Sequence, residues 1–90
     1  MTTRALIYYN DPGHGWLAVD RADLDALGIA DQITSYSYQK GNRVYLEEDL
    51  DAYAYRIAAH AAGWKVTTRD RFAKNYSSIR NFDHYRKAKP

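Results

Sequence analysis

Arg43–Trp64, RVYLEEDLDAYAYRIAAHAAGW, reads as a strand that runs straight into a helix and stops at a glycine. Val44 and Leu46 alternate with Tyr45, the period-2 pattern of a half-buried strand. From Leu50 the period becomes helical. Leu50, Tyr53, Ala54, Ile57, Ala58 and Ala61 fall at i, i+3, i+4, i+7, i+8 and i+11, which marks their shared face, with Ile57 at its centre, for burial against the sheet. Asp49 is placed as the N-cap, its carboxylate able to accept from free amides of the first turn. Glu47, Glu48, Asp49 and Asp51 set negative charge at the positive end of the helix dipole. Gly63 can take the left-handed conformation that ends the helix.

Upstream of this unit, Arg4–Tyr9 (RALIYY) is nearly continuously apolar and reads as an interior strand. Asn10–Gly15 (NDPGHG) is turn-rich, and Trp16–Val19 is a second short strand or an extended approach to the next helix. Asp20 heads a two-turn helix with Asp23 at its third position, Leu24 and Leu27 facing inward, and Gly28 at its end. Ile29 and Ile33 plug the core from a connector. Tyr36–Gln39 and Arg43–Leu46 flank Lys40-Gly41-Asn42 as a hairpin. Downstream, Trp64–Arg69 is a last strand. Beyond Asp70 no period is sustained, and the segment is expected to dock through Phe72, Tyr76, Ile79, Phe82 and Tyr85 while Arg80 and Arg86 project from the surface. The expected fold is α+β: one small domain over 1–86, a mainly antiparallel sheet of four or five strands with two helices on one face and a docked C-terminal tail. Residues 87–90 are expected to fray.

Ninety residues suffice for one modest core and not for two. Nine tyrosines stand against two phenylalanines; a ring with a polar tip suits a protein that presents a contact surface. The absence of cysteine removes disulfides and thiolate zinc sites and fits the reducing cytoplasm of a bacterial host. The apolar run Ala5–Tyr9 is too short for a signal-peptide core or a membrane span. Charge is uneven along the chain. Residues 1–63 hold five bases and nine acids, a net of −4, whereas residues 64–90 hold eight bases and two acids, a net of +6. An acidic body with a basic tail speaks of partners rather than of fold.

No residue set spells out a reaction, so the expectation is a non-enzymatic protein with no cofactor and no metal. Asp11-Pro12-Gly13-His14-Gly15 resembles the first metal-ligand segment of the zinc-dependent cell-wall amidases, over these five residues alone. A catalytic zinc needs about three protein ligands, and the only other histidines are His60 and His84, so the stretch is read as a tight turn. Ser35, Ser37, Ser77 and Ser78 lack a nucleophile elbow. Two surfaces remain as candidates. The acidic one comprises Asp20, Asp23, Asp25, Glu47, Glu48, Asp49 and Asp51, able to occupy Lys/Arg-rich ground on a protein partner. The basic, aromatic-interleaved one comprises Arg69, Arg71, Lys74, Tyr76, Arg80 and Arg86, residue types that contact phosphates and stack bases.

IYYNDPGHGWLAV, LGIADQITSYSYQKG, VYLEEDLDA and SSIRNFDHYR together resemble a family of short proteins from phages, prophages and other mobile elements of proteobacteria. The resemblance spans nearly the whole chain, with residues 64–75 least distinctive. Small proteins of this kind include anti-CRISPR inhibitors, which occupy a surface of a host defence complex. The resemblance thus implies stoichiometric inhibition of a host nucleic-acid-handling complex, such as a CRISPR effector, by competition with DNA. The alternative is a small nucleic-acid-binding protein that uses the basic tail. Either would act in the host cytoplasm without a membrane, as a monomer or a homodimer.

Overall fold

The chain folds in the order β1 (Thr3–Asn10), β2 (Gly15–Asp20), α1 (Arg21–Ala26), β3 (Tyr38–Lys40), β4 (Arg43–Glu47), α2 (Asp51–Ala61), β5 (Lys65–Phe72), a 3-10 turn (Ser78–Asn81) and β6 (Asp83–His84). This computed structural model describes residues 1–87. All strands join one sheet in the order β5-β1-β2-β4-β3-β6. The architecture is α+β, as expected, with six strands among the described residues instead of four or five.

The sheet is also mixed. Four pairings are antiparallel, but β1 and β5 run parallel from Thr3–Lys65 to Asn10–Phe72. The cause is the strand–helix–strand unit itself. A helix between two strands returns the chain to its starting end, so β5 must run with β4. Because β4 lies two antiparallel steps from β1, β5 also runs with β1. Gly41 at φ 59° makes the tight β3–β4 turn that an L side chain resists. Gly15 has a different duty, since a Cβ there would lie 2.5 Å from the Tyr8 ring.

Both helices cover one face of the sheet. Leu17, Val19, Val44 and Leu46 point into this core, where they meet Leu24 of α1, Ile29 and Ile33 of the connector, and Ala52, Tyr55 and Ala59 of α2. Each fully buried leucine contributes about 2 kcal/mol by its removal from water. The buried stripe of α2 is not the one expected. Leu50, Tyr53 and Ile57 remain 54%, 61% and 51% exposed, while Tyr55 is fully buried. Small side chains at Ala52 and Ala59 allow the helix backbone to approach the sheet, and the Tyr55 ring fills the space between them. Its hydroxyl donates to the Asp23 carboxylate at 3.1 Å, so the polar tip is satisfied inside the core.

The cap of α2 differs too. Leu50 occupies the cap position with no side-chain bond of its own. Glu47 does the capping, its carboxylate accepting from the amides of Asp49 (3.0 Å) and Leu50 (2.8 Å). At α1, Asp20 holds the cap position without bonding an amide and lies 3.7 Å from Arg43.

The C-terminal segment covers the other face. Trp16 and Ala18 are buried there, Phe82 packs on Tyr45 with ring centres 5.2 Å apart, and Ile79 is buried in the 3-10 turn. Tyr85 then rounds the β3 edge to complete the helix-side core, its hydroxyl donating to the Ala30 carbonyl at 2.7 Å. Docking of the tail is therefore as expected, but its anchors are fewer. Phe72 and Tyr76 are each 77% exposed. Phe72 ends an edge strand of which only Val66, near its start, packs against the core, and Tyr76 lies under the Arg80 guanidinium, 4.8 Å from its ring centre. Of the segment expected to fray, Lys87 reaches Asp31 at 2.8 Å, and 88–90 lie outside the described residues.

Candidate functional site

The fold divides the acidic residues instead of gathering them. Asp23 is buried and spent on the core: Arg4 donates to it through Nε (2.8 Å) and Nη2 (3.0 Å), and Tyr55 adds its hydroxyl. Burial, followed by the neighbouring Asp23 charge, pushes the Tyr55 hydroxyl far above its ordinary pKa. Asp51 is fully buried as well. One of its oxygens accepts from the Thr34 amide (3.0 Å), the Thr34 hydroxyl (2.7 Å) and the Ser37 hydroxyl (2.6 Å). Neither carboxylate can meet a partner, and both leave the candidate contact set.

The other five acids of the candidate surface fall into two groups. Asp20 sits at the end of β2 opposite Arg43, beside exposed Asp25, whereas Glu47 sits opposite Trp16. Four residue steps along the strand separate those ends, a distance of about 13 Å. Glu47, Glu48 and Asp49 remain together at the head of α2. His14 lies 3.8 Å from Glu48, and the Tyr8 hydroxyl lies 3.4 Å from it. Burial and the Glu48 carboxylate push the Tyr8 hydroxyl up to about 12.

At that same head the surface changes character. Leu50, Tyr53 and Ile57 form an outward apolar ridge along α2. Beside Leu50 opens a cleft of about 420 Å³, walled by Trp16, Tyr36 and Tyr38 and carrying the carboxylates of Glu47 and Asp49. Ser37 fixes the wall to the helix, since its hydroxyl donates to Asp51 and accepts from the Glu47 amide at 2.9 Å. Trp16 and Tyr38 meet edge to face at 6.2 Å, and Tyr38 stacks on His84 at 4.9 Å.

Arg80 closes the cleft from the tail, its charge already matched. Its guanidinium grips Asp11 through Nε (2.7 Å) and Nη2 (2.8 Å) and lies 5.4 Å from the Trp16 ring centre. Asp11 also accepts from the amides of Gly13 (3.0 Å), His14 (2.9 Å) and Ser77 (2.9 Å). The Arg80 hydrogen bonds, helped by these amides, hold its carboxyl well below the usual range despite burial. The DPGHG stretch is thus a loop folded around its own aspartate. Among the described residues, no three His, Cys, Asp or Glu side chains gather closely enough to hold a metal.

The tail bases do not converge. Arg69 and Arg71 alternate on β5 opposite Ile7 and Tyr9, on the part of the sheet that the tail leaves open. Lys74 and Tyr76 line a depression with Pro12 and Gly13 at the far end. At the opposite edge, Arg86 is held by its backbone, its amide donating to Gln39 (3.0 Å) and its carbonyl accepting from Arg21 (3.1 Å). Among the described residues no helix is long and apolar enough to cross a membrane.

Fold and surface together define a small α+β domain with one aromatic, carboxylate-bearing cleft beside an exposed helical ridge. No protein-family model matches the chain, and no curated protein or solved structure matches it. The cleft walls Trp16, Tyr36 and Tyr38 are not singled out by the sequence. The signal that points to them is the tyrosine excess around Tyr36-Ser37-Tyr38 immediately before the hairpin.

Proposed function

We propose that this chain acts without catalysis, as a stoichiometric binding protein that docks on a basic protein surface through the outward ridge and head of α2. The partner that best suits it is a host nucleic-acid-handling complex, such as a CRISPR effector, whose Lys/Arg-rich ground is built for phosphates. Inhibition then follows from occupying that ground in competition with DNA. One observation carries the reading: Leu50, Tyr53 and Ile57 lie exposed in a row, with Glu48 and Asp49 at its head. An apolar centre with a charged rim is the anatomy of a protein contact, and exposed aromatic and aliphatic anchors supply most of its binding energy. The carboxylates favour a basic partner and speed its encounter. The resemblance to short phage and mobile-element proteins supports the same class of activity.

The test is a DNA-binding competition assay with a purified effector complex from a proteobacterial host. Tyr53→Ser with Ile57→Ser should abolish inhibition while the melting temperature is retained, and Glu48→Lys with Asp49→Lys should weaken it and reduce its salt dependence. Undiminished inhibition by both double variants would end the reading.

A second reading has its own observation, the placement of Arg69 and Arg71 beside Ile7 and Tyr9 on the open sheet surface. Bases beside a half-buried ring and an aliphatic side chain suit single-stranded nucleic acid. A gel shift that weakens with salt and disappears in Arg69→Ala with Arg71→Ala would select it over the first.

A further inference from the structure

We infer that the cleft at the head of α2 receives a single cationic side chain, an arginine or lysine presented by the docked partner. The inference rests on the protein-docking reading and names the anchor of that contact. Three features of the cleft converge on a cation. Its walls are the rings of Trp16, Tyr36 and Tyr38; Arg80 already lies against the buried Trp16 ring and Tyr38 stacks on His84, so exposed Tyr36 offers the open aromatic face, which attracts positive charge within about 6 Å of its centre. Its acidic groups are the carboxylates of Glu47 and Asp49; of the basic groups lining it, Arg80 is neutralised by a two-point pair with Asp11 and the His14 imidazole lies 3.8 Å from Glu48. An anion entering here would face two carboxylates.

The third feature is rigidity. Tyr36 and Tyr38 flank Ser37, whose hydroxyl links the Glu47 amide to buried Asp51, and Thr34 ties the start of the same turn to that carboxylate. The backbone that carries the two tyrosines is therefore pinned to the first residue of α2 from beneath. A preformed site loses little freedom on binding, so a single side chain can be held there. The volume, about 420 Å³, admits a guanidinium or ammonium on its aliphatic stem. Arg80 already illustrates the chemistry: a guanidinium rests 5.4 Å from the Trp16 ring centre at the edge of the same cleft.

The experiment is an NMR titration of the full chain with N-acetyl-arginine-N-methylamide and its lysine counterpart. The neutral norleucine analogue and inorganic phosphate are run in parallel. The cationic probes should give saturable shifts at Tyr36, Tyr38, Asp49 and Leu50, with affinity on the order of millimolar, as expected for one side chain. Asp49→Asn and Tyr36→Ala, both at exposed positions, should each weaken that binding about tenfold. Equal binding of the norleucine analogue, binding of phosphate at these residues, or no saturable shift with either cation would each overturn the inference. Such a failure leaves the docking reading to be decided by the ridge variants, which do not line this cleft.

Discussion

Asp11 and Arg80 show how much one pair can organise. The carboxylate is fully enclosed, and it joins the β1–β2 loop to the C-terminal segment through two guanidinium bonds and the Ser77 amide. Removing Arg80 would leave the enclosed Asp11 charge with only amides for company, so Arg80→Met should clearly lower the urea midpoint. The pH dependence comes from the direction of the Asp11 shift. Its folded pKa is depressed, chiefly by Arg80, below an unfolded value of about 3.9. The pair's contribution is thus complete above about pH 5 and drains away as pH falls through 4 toward the folded value. Urea midpoints measured between pH 6 and pH 2.5 should drop steeply for the native chain and less steeply for Asp11→Asn. Equal slopes would mean that the carboxylate is protonated as readily in the fold as out of it.

At the scale of elements, α2 is the instructive case. Its length, its glycine stop and the preceding strand follow from pattern alone, but its orientation does not. Two apolar stripes compete on one helix: Leu50, Tyr53 and Ile57 against Ala52, Tyr55 and Ala59. Counting apolar bulk favours the first. Close packing favours the second, because alanines admit the sheet and a single tyrosine fills the gap. Ile57→Ala should therefore change stability by less than about 0.5 kcal/mol, whereas Tyr55→Ala should cost about 3–5 kcal/mol in a reversible melt. A large loss at Ile57 would reverse the assignment of faces. Similar reasoning explains the acidic residues. Asp23 and Asp51 look like solvated helix-start charges in the sequence, yet each has partners, Arg4 and Tyr55 for one and Thr34 and Ser37 for the other, that are distant along the chain. No local pattern announces such pairs. The parallel strand, by contrast, is implicit in the strand–helix–strand order, because a helical crossover leaves few other ways to return.

For the molecule as a whole, the tail is a second lid on the sheet. Ile79 and Tyr85 are buried, Phe82 covers Tyr45, and Arg80 fixes Asp11. A chain ended after Asp70 would bare Trp16 and Ala18 and orphan the Asp11 carboxylate, which is more than a domain of this size can spare. Its circular-dichroism melt should show no cooperative transition. Removal of residues 88–90 should leave the transition in place. A chain ended at Asp70 that melts like the full length would make the tail a mere appendage and strengthen the nucleic-acid reading.

The parallel seam between β1 and β5 also sets a timetable. Its first register pair joins Thr3 to Lys65, and its last joins Asn10 to Phe72. The opening strand must therefore wait for most of the chain before its outer neighbour exists, while β2, β3 and β4 can pair among nearby residues. Closing so large a loop is entropically costly, and topologies of this kind fold slowly. During synthesis, β1 leaves the ribosome early with one flank unpaired, a state that invites pairing with the wrong strand. Pulse-labelled hydrogen exchange on refolding should show the β2–β4 amides protected first and the β1–β5 amides last. Simultaneous protection of both sets would mean that the seam forms part of the nucleus.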